Sequence, residues 1–317
     1  MKHPFCIVPK HPFPHFPHAL PSRDNNMFTT KLLTRAAAAA LFLGLSWFAF
    51  QTPAFTQTPA APELTISKVA EDLYEIEGDG GNVAVLITSE GVILVDDKYE
   101  RDHDQIAAKI RSVTTLPVKY IFTTHYHSDH SGGNAKYLPT ADVISTVNAR
   151  NGILGHKQSN EQPGMAPARL VFNKEMSVFL GGKEVRALHL GRGHTDGDAL
   201  IYFPGLKTLH TGDLMANTSP LIDYNGGGSV VEWTKTLDEA LKLDIDRVIP
   251  GHGKVTDKMG LLAYRNTVET LRNQVTAQIR AGKTQLQIAQ FMTDQYKWAP
   301  ESLNQLWSVP GMMKELK

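Results

Sequence analysis

The stretch Thr123-Thr124-His125-Tyr126-His127-Ser128-Asp129-His130-Ser131-Gly132-Gly133 places four metal-capable side chains within six residues, directly after an apolar strand-like run. No structural role requires that density of histidine and carboxylate. Imidazole and carboxylate together suit zinc, iron or manganese. So short a loop cannot complete two sites, because each ion takes three or more protein ligands and keeps room for water. Three further donors stand in glycine-bearing turns: His194 in Gly191-Arg192-Gly193-His194-Thr195-Asp196-Gly197-Asp198, Asp213 in His210-Thr211-Gly212-Asp213, and His252 in Pro250-Gly251-His252-Gly253. Glycine lets the backbone approach an ion closely.

Outward from this cluster, short β-branched runs alternate with helical patterns. Alternation and turn residues predict strands at Leu64–Val69, Leu73–Ile76, Val83–Thr88 and Val92–Val95, which form a meander. A helix at about Asp102–Val113 then leads to a strand at Val118–Thr123, a βαβ unit that ends at the first histidine. Further strands are expected at Asp142–Thr146, Arg169–Phe172, Ser177–Leu180, Glu184–His189, Ala199–Phe203, Thr208–Thr211 and Arg247–Pro250. Ser229-Val230-Val231-Glu232 has the form of a capping box, opening a helix that runs to Leu243 with Trp233 and Leu237 on its core face. Beyond about Val255 the spacing of Leu261, Leu262, Tyr264, Val268, Leu271 and Val275 is helical. Two β-rich halves with helices in each suit an α/β fold of four layers with a C-terminal helical extension. Residues 63–256 would form the core domain and 257–317 the extension, which could cap the site, mediate a homodimer or bind substrate.

In order along the chain, His-x-His-x-Asp-His, Gly-His-Thr, Gly-Asp and Pro-Gly-His-Gly resemble the metallo-β-lactamase superfamily over about residues 64–255. That resemblance implies an αβ/βα sandwich in which His125, His127 and His194 hold one metal and Asp129, His130 and His252 the other. Asp213 falls where many family hydrolases place a carboxylate bridging both ions. Asp96 resembles the family's buried acidic residue that orients a ligand, and Thr195 and Asp198 are expected to support ligands from behind, with turn-capping as the competing role. Two cations about 3.5–4 Å apart deprotonate a water between them near neutral pH and polarise a carbonyl. No serine or cysteine nucleophile is then needed, and the catalytic carboxylates are Asp129 and Asp213. His103, His156, His189 and His210 lack the local pattern and read as structural. Tyr224-Asn225-Gly226-Gly227-Gly228 borders the site either as a substrate contact or as a plain turn.

Lys+Arg and Asp+Glu balance at 32 each, so nothing in the charge draws the chain to nucleic acid or an anionic membrane. Residues 1–26, rich in proline and histidine, hold Cys6, the sole cysteine, and read as sequence upstream of a true start at Met27. Lys31 and Arg35 followed by the apolar run Ala36–Phe50 have the form of a signal peptide over residues 27–56, with cleavage near Ala54 or a few residues later. That run is shorter than the roughly 20 residues of a membrane span. The mature protein would be periplasmic or secreted, without disulfides and without stable membrane insertion.

The expected activity is that of a metal-dependent hydrolase with two zinc ions, iron or manganese being alternatives, acting on a small-molecule ester, thioester, lactone or β-lactam. Export favours a β-lactamase; Asp213, where lactamases of the first subclass usually carry cysteine, resembles thioesterases and lactonases instead. An iron-dependent oxidoreductase of the persulfide-dioxygenase type is the alternative from another class. A non-catalytic scaffold would be expected to lose ligands, and all seven candidates are kept.

Overall fold

The computed structural model describes residues 62–155, 165–216 and 219–317. The expectations for residues 1–61, including the signal peptide and Cys6, and for His156 lie outside the described residues.

The meander is β1 (Thr65–Ala70), β2 (Leu73–Glu77), β3 (Val83–Ile87) and β4 (Val92–Val95). Helix α1 (His103–Arg111) crosses to β5 (Val118–Phe122), which pairs with β4 in parallel, as the βαβ reading required. After two one-turn helices, α2 (Ser128–Ser131) and α3 (Asn134–Tyr137), β6 (Asp142–Thr146), α4 (Val147–Gly155) and β7 (Leu170–Phe172) complete a seven-stranded sheet in sequential order β1 to β7. The second sheet has the order β12-β11-β10-β9-β8, from β8 (Glu175–Leu180), β9 (Lys183–Leu188), β10 (Leu200–Phe203), β11 (Thr208–His210) and β12 (Arg247–Ile249). Helix α5 (Val230–Ala240) lies between β11 and β12 in sequence, and α6 (Lys258–Arg280), α7 (Gln285–Tyr296) and α8 (Val309–Glu315) follow β12.

Strand alternation builds the layers. In β4, Ile93 and Val95 point into the core between the sheets with Phe122, Ile201, Phe203 and Ile249, whereas Val92 and Leu94 point outward to Ile106 and Ile110 of α1. A strand covered on both faces must be apolar throughout, and Val-Ile-Leu-Val is. The outer face of the second sheet, through Leu188, Leu200 and Leu209, packs on Trp233 and Leu237 of α5 and on α6 to α8 through Leu261, Val268, Ile288 and Met312. The C-terminal helices therefore share one core with this sheet. Among the described residues no helix is long and apolar enough to cross a membrane.

Two local details differ from the reading of the sequence. Ser229 does accept the Glu232 N–H at 3.0 Å, but the Glu232 carboxylate turns to Arg192 at 2.8 Å, so the cap is one-sided. The Ser229 hydroxyl also donates to Glu315 in α8. Helix α4 has no counterpart in the predicted elements; it buries only Ala149 and Ile153, too narrow a stripe to show as helical period.

Candidate metal centre

The C-terminal ends of β5 and of the parallel pair β11 and β12 meet at one edge of the sandwich, where they deliver His125 to His130, Asp213 and His252; the loop between β9 and β10 brings His194. Three groupings of converging donors result: His125, His127 and His194; Asp129, His130 and His252; and His125, His130 and Asp213, which joins the other two. All seven residues predicted from the sequence are thus brought together. In the first grouping His127 Nδ1 lies 3.1 Å from His125 Nε2 and 2.9 Å from His194 Nε2. In the second, His252 Nε2 lies 3.3 Å from both His130 Nε2 and Asp129 Oδ2. Asp213 lies between them, Oδ1 at 3.2 Å from His130 Nε2 and 3.4 Å from His252 Nε2, and Oδ2 at 3.7 Å from His194 Nε2.

In four of the five rings a bond at the opposite nitrogen fixes which nitrogen faces inward. His194 donates from Nδ1 to the Leu221 carbonyl at 2.6 Å, leaving Nε2 for the centre. His130 Nδ1 lies 2.7 Å from Asp96 Oδ2. Asp96 also takes the Thr124 N–H at 2.7 Å and the Thr124 hydroxyl at 2.8 Å, while that hydroxyl oxygen lies 3.1 Å from His125 Nδ1. One buried carboxylate thereby orients His130 directly and His125 through Thr124. Asp96 does this from a left-handed backbone, φ 61°, a conformation that non-glycine residues adopt at a cost.

Asp223 carries no local metal-site pattern in the sequence. Its Oδ2 lies 3.0 Å from His127 Nε2 and accepts the Tyr126 hydroxyl, while its Oδ1 takes the N–H groups of Asn225 and Gly226, each at 3.0 Å. The glycine-rich loop after it was legible as a turn; that an aspartate opening it reaches back to His127 was not. Thr195 and Asp198 bond chiefly to one another, the Asp198 carboxylate taking the Thr195 hydroxyl at 2.6 Å, and so close the turn that follows His194. Among the remaining histidines, buried His210 bonds the Asn82 carbonyl at 3.1 Å and accepts the Gly212 N–H at 3.2 Å, and His189 donates from Nδ1 to the Asp198 carbonyl at 2.7 Å. His103 stacks edge-on against Tyr137, its ring centroid 4.6 Å away.

The donor set fits a cation. A tetrahedral ion with metal–nitrogen bonds of about 2.0–2.1 Å spaces its ligand nitrogens roughly 3.3 Å apart, close to the separations here. In the His125, His127 and His194 group, where ring nitrogens face one another with no carboxylate between them, lone pairs at that range repel unless positive charge lies between them. Asp213 Oδ1 is buried without a hydrogen bond of proper geometry, the state of a carboxylate oxygen whose partner is an ion. The electrostatics divide the centre in two. Burial, aided by the neighbouring imidazoles, holds His125 well below the usual histidine range and lowers His194 to about 4. Asp213 raises His252 to about 9. Burial opposes protonation of His130, but Asp213, Asp129 and Asp96 outweigh it and hold that histidine well above its ordinary range. Burial likewise opposes ionisation of Asp213 and Asp129, and the same two histidines overcome it and lower both carboxyls. A cavity of about 230 Å³ opens onto His194, Asp213 and His252 and is completed by Leu221, Tyr264 of α6 and Asn304. Trp307, also C-terminal, stands over His127 with ring centroids 5.5 Å apart.

Comparison with known proteins agrees with this geometry. The family model of the metallo-beta-lactamase superfamily matches residues 76–252. A metallo-beta-lactamase type 2 of Bacillus cereus is 28% identical over 190 residues, 58% of this chain and 70% of that protein. The 2,4-dinitroanisole O-demethylase subunit alpha of Nocardioides sp. (strain JS1661) is 29% identical over 137 residues, 43% of this chain and 40% of that one. Among solved structures, DIM-1 metallo-beta-lactamase matches with a TM-score of 0.56 and 26% identity over 66% of this chain and 98% of its own. A metallo-beta-lactamase from Pontibacter korlensis has a TM-score of 0.58 at 18% identity, over 65% of this chain and 99% of its own, a likeness of fold. With the family model spanning more than half the chain and the histidine and aspartate donors converging as they do, the chain belongs to the metallo-β-lactamase superfamily and is a metal-dependent hydrolase.

Proposed function

We propose that the chain is an exported hydrolase holding two zinc ions that cleaves the carbonyl bond of an ester, thioester, lactone or β-lactam. The observation that carries this reading is Asp213, whose two oxygens face different donor groups, Oδ1 towards His130 and Oδ2 towards His194. Imidazole-rich sets with one or two carboxylates suit zinc. When bound, such ions supply a water acidified to near neutral pH and a Lewis acid for the scissile carbonyl.

The residues do the rest. Asp96, Asp223 and the Leu221 carbonyl hold the imidazoles so that their lone pairs converge. Asp129, more accessible than Asp213, presents Oδ2 beside His252, where a proton from the attacking water can be held and passed to the leaving group. Burial of His125, His130 and His194 keeps bulk water from that face, and the cavity beside Leu221, Tyr264 and Asn304 receives the substrate. The names of several relatives make β-lactams one arm of the test. The carboxylate at 213 favours the ester, thioester and lactone arms.

The test is a panel of nitrocefin, acyl thioesters, acyl-homoserine lactones, a phosphodiester and 2,4-dinitroanisole, run on protein whose metal has been counted. Two zinc ions per chain and turnover of a carbonyl substrate, abolished in Asp129→Ala, are expected. Fully loaded protein inert towards every carbonyl substrate sinks the proposal; iron without zinc after native expression would favour redox chemistry.

A further inference from the structure

The loop of residues 220–229 supplies partners to two of the histidines: the Leu221 carbonyl accepts from His194 Nδ1 at 2.6 Å, and Asp223 Oδ2 lies 3.0 Å from His127 Nε2. It has no strand or helix of its own, only turns. Its residues alternate. Leu221 and Asp223 face the centre, while the residues on either side are bound from the C-terminal segment. Ser308, fully buried, accepts the Ile222 N–H at 2.9 Å and donates to the Ile222 carbonyl at 3.2 Å. Asn304 Nδ2 donates to the Pro220 carbonyl at 3.3 Å. At the far end, Glu315 takes the Tyr224 hydroxyl at 2.6 Å and the Val230 N–H at 3.1 Å, as well as the Ser229 hydroxyl.

We infer that the segment Asn304–Glu315 is a positioning element of the metal centre, in which Asn304, Ser308 and Glu315 set the 220–229 loop so that Leu221 and Asp223 hold His194 and His127 in ligating orientation. The segment lies beyond the family match, which ends at residue 252. The inference rests on the reading of the centre as a metal site. A polar bond pattern so specific to one loop is more than packing requires, since Val309 and Met312 already bury that face of α8 in the core. An outer partner that fixes a ligand's ring carries about 10–100-fold of metal affinity. Ser308 and Asn304 act one bond further out, so the lower end of that range applies to Ser308.

The experiment compares full-length wild type, Ser308→Ala, Asn304→Ala and Val275→Ala, the last a core truncation in α6 that touches none of these bonds. Zinc affinity is read by competition with a chromophoric chelator, ligand geometry by the visible spectrum of the cobalt(II)-loaded protein, and stability by the thermal midpoint of the metal-free chain. Ser308→Ala is expected to weaken zinc binding about 10-fold and to shift the cobalt bands, with a smaller change of the same kind in Asn304→Ala. Val275→Ala is expected to lower the thermal midpoint while leaving affinity and spectrum alone. Wild-type affinity and spectra in both Ser308→Ala and Asn304→Ala would overturn the inference, as would equal loss of zinc in Val275→Ala. If Ser308→Ala does not fold, Asn304→Ala, whose side chain is only partly buried, decides alone. Wild type that binds neither zinc nor cobalt would remove the metal reading itself, and this inference with it.

Discussion

The rings of His125, His127, His130 and His194 are each held by a bond on the side away from the centre, and the carboxylates of Asp96 and Asp223 supply two of those bonds. Asp223→Ala should therefore weaken metal binding about 10–100-fold with the fold intact, checked by chelator competition and circular dichroism. His210→Ala should act differently: it leaves a buried Gly212 N–H and Asn82 carbonyl without partners, so the loss appears in the thermal midpoint rather than in the chemistry of the loaded enzyme. The protonation pattern gives a pH test. Asp213 raises His252 to about 9 in the metal-free protein, so it carries a proton at pH 7 and must release it to ligate; His130 is held above its ordinary range by Asp213, Asp129 and Asp96 against the pull of burial. Metal uptake at pH 7 should release protons, His252's among them, measurable by calorimetry in buffers of different ionisation enthalpy, and affinity should climb as pH rises towards 9. A release of none would contradict this charge assignment. The sign for stability follows. The folded pKa of His252 lies above its ordinary 6.5, so its contribution to the metal-free chain is fully present below about that pH and is lost as pH rises through about 9.

The elements matter through their ends. A Cβ at Gly251, which opens the turn after β12, would lie 2.0 Å from Asp213 Oδ1, and one at Gly81 would lie 2.2 Å from His130 Cε1. Neither atom sits at the end of a flexible side chain that can swing away, since each belongs to the convergent donors. Gly251→Ala should thus displace Asp213 and cost about 1–3 kcal/mol together with most metal affinity, read by thermal unfolding and metal titration. Gly251 was legible as a turn residue; the pressure of both glycines on the donors was not, because it comes from β12 lying beside β11 and from the backbone before β3 bonding the Asp129 carbonyl through Gly81. At the start of α5 the local Ser–x–x–Glu pattern was readable, yet Glu232 bonds Arg192 and the outer partner of Ser229 is Glu315 in α8. A one-sided local cap completed from a distant helix has no short-range sequence signature.

Over the whole molecule, two sheets with helices outside each make a sandwich whose centre lies at the strand ends rather than inside the core. Stripping the metal should then leave the secondary structure in place and remove only linkage stabilisation. An ion present at about 100 times its Kd contributes about 2.7 kcal/mol, so chelation should lower the thermal midpoint by several degrees without loss of the far-ultraviolet spectrum. Collapse of that spectrum on chelation would show that the sandwich needs the ion to fold. The sequence by itself determined the layers and singled out the seven histidines and aspartates that converge. Strand alternation is written in contiguous residues such as Val92–Val95, and each ligand motif is complete within a few positions of a turn. Only the tertiary structure decided that Asp213 turns one oxygen to each group, that Asp223 reaches His127, and that Asn304, Ser308 and Glu315 bind the loop carrying Leu221 and Asp223. Those depend on contacts such as His127 to Asp223, 96 positions apart, which sheet register and loop packing create and which no local pattern encodes.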